Sequence, residues 1–253
     1  MYPAERQTAI LEQAHAGDGR LSVSHLSHDL TVTPETIRRD LAVLERRGLI
    51  TRIHGGARLT HRSPFELSLA NRQAKEVDEK RRIVERTLQE IPHEGVVLLD
   101  SGYTPLAIAA RFPDRNLIVV TNNLPAIPIL LERPKLTVMA LPGRLRPITQ
   151  SAVDEWTRAR LETLQADLAI VGLNAVSVAG GLMTTVPDEA DVKRAMLACA
   201  KRRISAAIAS KVGQTSFCRF AGVEDLDMLI TDDRISAADR EALSAAGPEV
   251  VVV

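Results

Sequence analysis

Seven short apolar runs, each separated from the next by a stretch of helical character, constrain the fold of this chain more than any other feature. The runs lie at residues 96–100, 117–121, 136–141, 167–173, 204–210, 227–232 and 249–253. Short runs that are apolar throughout are typical of strands buried on both faces. Because these runs alternate with helices, they predict an α/β fold with a mainly parallel sheet covered on both sides.

The first sixty residues follow another pattern, that of short helices separated by turns. A first helix is predicted to end at residues 17–19, and a second at residues 31–33. The clearest start belongs to a third helix, because Thr33 is placed to cap it and Pro34 takes the first helical position, where no intrahelical hydrogen bond is lost. We expect this helix to continue to Gly48.

The third helix has an apolar face and a polar face, and a hairpin follows it. Ile37, Leu41 and Leu44 fall on one narrow face, and Arg39 falls opposite. Apolar and polar residues alternate around a Gly-Gly pair in the segment 50–59, and this pattern predicts a two-stranded wing. Three helices and a hairpin describe a winged helix-turn-helix, which binds DNA. The residues predicted to contact DNA are Thr33, Glu35, Thr36, Arg38, Arg39, Arg52, His54, Gly55, Gly56 and Arg58.

These patterns divide the chain into three parts. Residues 1–57 form the predicted winged helix-turn-helix, and residues 58–74, interrupted by Ser63-Pro64, form a linker. Residues 75–253 form the predicted α/β domain, which opens with a helix predicted over 75–91. The net charge of the whole chain is zero, but residues 1–62 hold nine arginines and seven acidic residues, a weak asymmetry in favour of nucleic acid.

The composition argues against several other classes of protein. With 45% hydrophobic and 25% charged residues, the chain has the composition of an ordinary globular protein, and no apolar run approaches the length that crosses a bilayer. Glu5 and Glu12 interrupt the segment where a signal peptide would be apolar, so we expect a cytoplasmic protein. Cys199 and Cys218 form no C-x-x-C pair, and His25 and His28 have no third ligand nearby, so no metal or cofactor is expected.

Polar residues follow the first two predicted strands of the sheet, at the edge where open α/β sheets bind ligands. The segment 100–104 reads Asp-Ser-Gly-Tyr-Thr and leads into a helix, where Gly102 permits a tight turn and Thr104 is a candidate cap. Free N–H groups at such a helix start favour a phosphate. The segment 121–123, Thr-Asn-Asn, offers hydroxyl and amide groups to a sugar. Either loop alone is better explained as an ordinary turn, but both loops at neighbouring strand ends favour a ligand site.

Charged residues later in the chain are placed to join the same site. Lys193 lies on the predicted helix that contains Glu189, and Lys211 follows the fifth strand. Two functions then remain open: an enzyme acting on a sugar phosphate, with Asp100, Glu189 or Lys211 as acid or base, or a regulator that only binds its ligand. The winged helix favours the regulator, because a catalyst has no evident use for it.

Several short motifs resemble those of the DeoR family of bacterial transcription regulators. They are Glu5-Arg6-Gln7, ETIRRDL at 35–41, HGGA at 54–57, EKRRI at 79–83, DSG-x-T at 100–104, TNN at 121–123, EADVKRAM at 189–196 and LITD at 229–232. The resemblance covers nearly the whole chain. It implies a homo-oligomeric regulator that binds double-stranded operator DNA, with a C-terminal domain similar to ribose-phosphate isomerase and glucosamine-phosphate deaminase. A phosphorylated sugar would bind that domain and release the DNA.

The resemblance also marks departures from the family pattern. Tyr103 stands where the family loop D-S-G-T-T has its first threonine, and Gly143 is the single glycine where the family has two after the third strand. The segment 208–211 keeps the lysine of the family's D-S-S-K stretch but not its acidic residue. The predicted effector-binding residues are Asp100, Ser101, Gly102, Tyr103, Thr104, Thr121, Asn122, Asn123, Gly143, Glu189, Lys193 and Lys211. The sequence of residues 181–196 resembles that of regulators of phosphorylated-hexose operons, including responders to fructose 1-phosphate.

Overall fold

A computed structural model of the protein describes residues 3–16, 19–46, 50–59 and 76–253. Contacts between residues divide the chain into two compact units, Met1–Leu67 and Ser68–Val253, and each unit has its own hydrophobic core. Most of the predicted linker, residues 60–74, lies outside the described residues, as do residues 17 and 18 and the predicted helix end at Gly48.

Within its described residues, the N-terminal unit contains three helices and a three-stranded antiparallel sheet. In chain order the elements are α1 (Pro3–Ala16), β1 (Arg20–Ser22), α2 (Val23–Asp29), α3 (Pro34–Arg46), β2 (Ile50–Ile53) and β3 (Gly56–Leu59). The start of α3 is confirmed: Pro34 is its first residue, and the Thr33 hydroxyl accepts a hydrogen bond from the Thr36 N–H at 3.3 Å. Its predicted apolar face is also confirmed, because Ile37, Leu41 and Leu44 are all buried.

The wing has one strand more than the sequence predicts. The sheet order is β1-β3-β2, so β1 joins the two predicted strands. Only Leu21 of its three residues is buried, and a single buried residue between two exposed ones is too short a pattern to predict a strand. Gly56 of β3 pairs with Ser22 of this strand, and a Cβ on Gly56 would lie 1.8 Å from the Leu21 carbonyl oxygen. The absence of a side chain at Gly56 therefore serves the packing of β1 on β3.

The C-terminal unit is built on a seven-stranded parallel sheet with the order β15-β14-β12-β9-β4-β5-β6. All seven predicted strands are found in it, but the expectation that each strand is buried is wrong for the edge strand at 136–140, which has no buried residue. Their bounds are β4 Gly95–Leu99, β5 Leu117–Thr121, β6 Leu136–Ala140, β9 Ala166–Val171, β12 Ala200–Ala206, β14 Met228–Thr231 and β15 Glu249–Val252.

Helices cover the two faces of this sheet. They are α4 (Val77–Leu88), α5 (Tyr103–Ala110), α6 (Ala126–Leu131), α7 (Glu155–Leu161), α8 (Pro187–Ala198) and α9 (Ala237–Ala245). Residues of α4, α5 and α6 pack with one face of the strands, and residues of α7, α8 and α9 pack with the other. No helix in the described ranges is both long and apolar enough to span a membrane.

Two small antiparallel sheets complete this unit. One is the hairpin of β7 (Arg144–Arg146) and β8 (Ser151–Val153), and the other joins β10 (Ala175–Ser177), β11 (Gly181–Thr184) and β13 (Cys218–Ala221). The sequence analysis predicted neither, because strands of three or four mixed residues give no clear alternation. The β7–β8 hairpin matters for function, since it lies against the end of β5: the Ala152 N–H donates to the Asn122 carbonyl oxygen at 2.9 Å.

One strand is displaced from its predicted bounds by several residues. The sequence predicts a strand at 204–210, but β12 begins at Ala200 and ends at Ala206. Residues Ala209–Lys211 instead form a 3-10 turn. The reason is a hydrogen bond from the Ala209 N–H to the buried Asp232 carboxylate, at 2.7 Å, which holds this segment away from the strand ladder.

Candidate functional site

The predicted ligand loop after β4 lies at the carboxyl edge of the sheet. Asp100 and Ser101 are buried. Gly102 is the N-cap residue of α5 and has a φ of 106°, which residues other than glycine rarely adopt. The prediction that Thr104 caps this helix is wrong, because α5 begins at Tyr103 and Thr104 already lies within it. The first N–H groups of α5 have no partner within the helix and so favour an anion.

Asp100 is held by groups from two neighbouring elements. Its Oδ2 atom contacts the Lys193 ammonium, and both side chains are almost completely buried. The same oxygen accepts a hydrogen bond from the Gly172 N–H at 2.9 Å, at the end of β9. The structure thus brings together two residues that are 93 positions apart in the sequence, and it places a paired positive charge beside the start of α5.

The Thr-Asn-Asn segment ends β5 next to this loop. The Asn123 amide donates to the carbonyl oxygens of Asp100 and Gly102, both at 3.3 Å, and the Asn122 amide donates to the Ala152 carbonyl oxygen at 3.2 Å. The Thr121 hydroxyl donates to the Leu99 carbonyl oxygen at 2.6 Å and so links the ends of β5 and β4. The two predicted loops therefore form one site, here called the carboxyl-edge site: residues 100–104 and 121–123 together with Lys193.

Two acceptors in the carboxyl-edge site lack partners. Asn122 Oδ1 and Asn123 Oδ1 are buried, and no hydrogen-bond donor reaches either of them within the part of the chain that the structure describes. Their orientation is fixed, since each NH₂ group already faces a carbonyl oxygen. A buried acceptor without a donor is costly, so these oxygens are suited to hydroxyl groups of a ligand.

Glu189 belongs to a polar cluster beside this site. Its Oε1 accepts hydrogen bonds from Arg146 at 2.8 Å and from Thr149 at 2.9 Å, and its Oε2 accepts one from Thr184 at 3.1 Å. Glu189 lies one helical turn before Lys193 on α8. Its carboxylate is thus an anchor between α8 and the β7–β8 hairpin. The sequence analysis did not find Arg146, Thr149 or Thr184, because each comes from a short strand or its turn.

The remaining predicted residues lie in varied surroundings. The Lys211 ammonium donates to the Leu173 carbonyl oxygen at 2.5 Å, just beyond the end of β9. A Cβ on Gly143 would lie 2.2 Å from the Thr157 hydroxyl, so this glycine serves the packing of α7.

Tyr103 is half-buried, and the Lys80 ammonium lies 5.2 Å from the centre of its ring. Lys80, a buried residue of α4, is thus a further cation beside the ligand loop that the sequence analysis missed.

The predicted DNA-contacting surface of α3 is exposed. Thr36 is half-buried, and Glu35, Arg38 and Arg39 are exposed. The Arg38 guanidinium forms an ion pair with Glu35 at 3.1 Å, whereas Arg39 forms none with the described residues. Arg39 is therefore the more available of the two arginines.

The predicted residues of the wing are arranged around its turn. Arg52, His54 and Arg58 are exposed, and Gly55 occupies the turn with a φ of 77°. Arg58 lies opposite Arg20 in the register of β1 and β3, so two arginines share one face of the small sheet. The sequence analysis did not select Arg20, because it did not predict β1.

No described group of histidine, cysteine, aspartate and glutamate side chains is arranged to hold a metal ion. His25 is 3.1 Å from the Asp29 carboxylate. Burial raises the pKa of both cysteine thiols, and at Cys218 the nearby Asp191 charge adds to this effect. The thiols are thus protonated at neutral pH, which disfavours both metal binding and nucleophilic chemistry.

Comparison with protein families finds a match for each unit. The family described as DeoR-like helix-turn-helix domain matches residues 6–63, and the family described as DeoR C terminal sensor domain matches residues 75–233.

Known proteins match over most of the chain. The HTH-type transcriptional regulator GlpR of Haloferax volcanii is 37% identical over 251 residues, which cover 99% of this chain and 98% of that protein. The glycerol-3-phosphate regulon repressor of Escherichia coli K12 is 29% identical over 233 residues, 92% of each chain. Among solved structures, ribose 5-phosphate isomerase A of Methanocaldococcus jannaschii matches 53% of this chain and 54% of that one, with 11% identity and a TM-score of 0.39.

Proposed function

The chain belongs to the DeoR family of DNA-binding transcription regulators, which are not enzymes, and we propose that it represses a sugar-metabolism operon until a phosphorylated sugar releases it from its operator. A relative that is named as the repressor of a glycerol-3-phosphate regulon supports both the sign of regulation and the phosphorylated class of effector. The carboxyl-edge site is the proposed effector site, and the exposed face of α3 with the wing is the proposed DNA surface.

In the proposed DNA complex, the start of α3 enters the major groove. Arg39 is the base-reading residue, because it is exposed, lies opposite the buried face and forms no ion pair with described residues. Thr33, Glu35, Thr36 and Arg38 lie around it at the groove edge. The wing residues Arg52, His54 and Arg58 then contact the phosphate backbone, with Gly55 and Gly56 allowing close approach. A single unit reads one half-site, so the regulator acts as a homo-oligomer.

In the proposed effector complex, the ligand lies with its two ends in different surroundings. The phosphate group binds the N–H groups of residues 101–104, beside the Lys193 ammonium. Hydroxyl groups of the sugar donate to Asn122 Oδ1 and Asn123 Oδ1. Lys211 is proposed to neutralise the charge of the ligand, and Glu189 holds the helix that carries Lys193. Tyr103, at the start of α5, either covers the sugar or fills the apolar underside of the loop.

The unpartnered asparagine oxygens are the observation that carries this proposal. Anion-binding groups alone would fit inorganic phosphate as well as a sugar phosphate. Two buried acceptors beside them favour a ligand that also supplies donors, as a polyol does. We therefore expect inorganic phosphate to bind much more weakly than a phosphorylated sugar, and fructose 1-phosphate and glycerol 3-phosphate are the first compounds to try.

A thermal-shift screen tests the proposed function. Phosphorylated sugars are compared with their unphosphorylated parents and with inorganic phosphate. A ligand that binds only the folded state raises the melting temperature by an amount that grows with the ratio of its concentration to its Kd. Each stabilising compound is then added to the protein on an operator duplex selected from random DNA. The proposal expects stabilisation by a phosphorylated sugar, no turnover of it and weaker operator binding. Turnover would favour a sugar-phosphate enzyme instead, and tighter operator binding would contradict release.

A further inference from the structure

Arg234 lies three residues beyond the end of β14, and its guanidinium contacts carboxylates from two different parts of the sensor unit. Its Nε atom is 2.6 Å from Asp232, a fully buried residue. Its Nη2 atom is 2.9 Å from Glu76, and its Nη1 atom is 3.5 Å from Glu79. Arg234 therefore connects the carboxyl edge of the sheet with the start of α4.

On the sheet side, the connection continues to a residue of the candidate site. The other oxygen of Asp232 accepts a hydrogen bond from the Ala209 N–H at 2.7 Å. Ala209 begins the 3-10 turn that ends at Lys211. The Lys211 ammonium in turn donates to the Leu173 carbonyl oxygen, in the segment that follows Gly172 and its hydrogen bond to Asp100. Asp232 thus holds the turn that positions Lys211.

On the helix side, the connection reaches residue 76, where the described part of the sensor unit begins. Glu76 is the N-cap residue of α4 and has a φ of 53°, a conformation that residues other than glycine adopt only where their surroundings hold them. Its contact with Arg234 is one such restraint. One turn further along α4, the Lys80 ammonium lies over the ring of Tyr103, in the ligand loop. The start of α4 thus contacts both the ligand loop and, through Arg234, the Lys211 turn.

We infer that Arg234 is a positioning residue for the response to effector: it couples the Lys211 turn to the start of α4, so that ligand binding at the carboxyl-edge site shifts the helix from which the chain leads to the DNA-binding unit. This inference rests on the proposed function. Because Arg234 touches neither the ligand loop nor the Thr-Asn-Asn segment, its loss should spare ligand binding and remove the effect of the ligand on DNA affinity. Allosteric coupling is a separate free energy from either binding event, so the two losses can be told apart.

The test compares Arg234→Met with a matched control, Arg81→Met. Arg81 lies on α4, and its ion pairs with described residues are those with Asp78 and Glu85 of the same helix. Isothermal titration with glycerol 3-phosphate and fructose 1-phosphate gives the ligand affinity of each protein. Fluorescence anisotropy with an operator duplex gives the operator Kd with and without saturating ligand. The ratio of these two Kd values measures the coupling and is insensitive to a purely structural loss that affects both equally.

In the wild type and in Arg81→Met, we expect a ratio in the 5- to 150-fold range that is typical of allosteric proteins. In Arg234→Met we expect a ratio below about twofold, with ligand affinity within about threefold of the wild type. A second variant, Glu76→Gln with Glu79→Gln, removes the two α4 carboxylates that contact Arg234 and keeps the Arg234–Asp232 pair. This variant should lose coupling in the same way, even if Arg234→Met folds poorly.

The outcomes separate this inference from the function on which it rests. If Arg234→Met or the double variant keeps the wild-type ratio, the inference is overturned and the proposed function stands. An equal loss of coupling in Arg81→Met would also overturn it, because any change on α4 would then suffice. If the wild type binds neither phosphorylated compound, or binds one without any change in operator Kd, the proposed function itself fails and the inference fails with it.

Discussion

Arg6 and Asp40 lie 34 residues apart in the sequence, yet the Arg6 Nε atom is 2.5 Å from Asp40 Oδ2, and both side chains are at least 90% buried. Gln7 donates to the other carboxylate oxygen at 3.0 Å. Asp40 directly follows Arg39 on α3, so this contact fixes α1 against the helix that presents the proposed base-reading residue. Two of the motifs that resemble the DeoR family, Glu5-Arg6-Gln7 and ETIRRDL, therefore meet in one buried cluster.

We predict that Asp40→Ala destabilises the N-terminal unit by about 3 kcal/mol, because removal of one partner leaves a buried charge uncompensated. Hydrogen exchange of the α1 and α3 amides, together with urea unfolding, measures this loss. Glu35→Ala is the matched control, since it removes an exposed ion pair on the same helix and should cost less than about 1 kcal/mol. Similar small losses in both variants would show that the buried pair contributes little.

We predict that Arg39→Ala weakens specific operator binding by about 1 to 3 kcal/mol and relaxes the preference at one base position, as expected for loss of a bidentate contact to a base. Arg38→Ala, which removes the arginine paired with Glu35, should reduce binding to all sequences more evenly. Both are measured by anisotropy over a series of salt concentrations. Wild-type affinity, specificity and salt dependence in Arg39→Ala would refute its assignment.

We predict that Gly102→Val abolishes the response to effector while operator affinity stays near that of the wild type. Gly102 has a φ of 106° at the start of α5, and a β-branched residue there would distort the N–H groups proposed to bind phosphate. Gly247→Val is the control, because Gly247 has a φ of 134° and lies at the opposite, amino edge of the sheet, before β15. Titration calorimetry measures the ligand affinity of both proteins. Equal affinity in the wild type and in Gly102→Val would show that the phosphate does not bind at the start of α5.

Sequence patterns predicted the elements of this protein better than the contacts between them. Continuous apolar runs such as 117–121 indicate burial, so the parallel sheet could be predicted from them. The clusters around Asp40 and Glu189 could not, because a charged residue on a helix is usually solvated and its buried partners come from distant segments. The displaced end of β12 has the same origin, since the Asp232 carboxylate that holds Ala209 follows another strand.

The Asp232 carboxylate gives the stability of the sensor unit a specific dependence on pH. Burial opposes its ionisation, but hydrogen bonds from the Arg234 side chain and from the Ala209 and Arg234 N–H groups outweigh burial and hold the pKa of Asp232 below its ordinary value of 3.8. A carboxyl group with a lowered pKa stabilises the folded state above the pKa of the unfolded chain, and this contribution is lost as the pH falls through the lowered value.

We therefore predict that the stability difference between wild type and Asp232→Asn is constant above roughly pH 5 and narrows as the pH falls below it. Urea unfolding of both proteins at a series of pH values measures the difference. Asp114→Asn serves as the control, since the Asp114 carboxylate accepts a hydrogen bond from the Lys135 N–H in an exposed turn. A difference that widened on acidification would mean that the pKa of Asp232 is raised.

Release of operator DNA by a phosphorylated sugar at the carboxyl-edge site can be measured through the reciprocity of the two binding equilibria. Titration calorimetry with the stabilising sugar phosphate is carried out on the free protein and on the protein saturated with operator duplex. Because linkage is symmetric, operator DNA must weaken sugar-phosphate binding by the same factor by which the sugar phosphate weakens operator binding. Equal factors of at least about fivefold are the predicted result. Equal affinity of the sugar phosphate for the free and the DNA-bound protein would mean that the sugar phosphate does not release operator DNA.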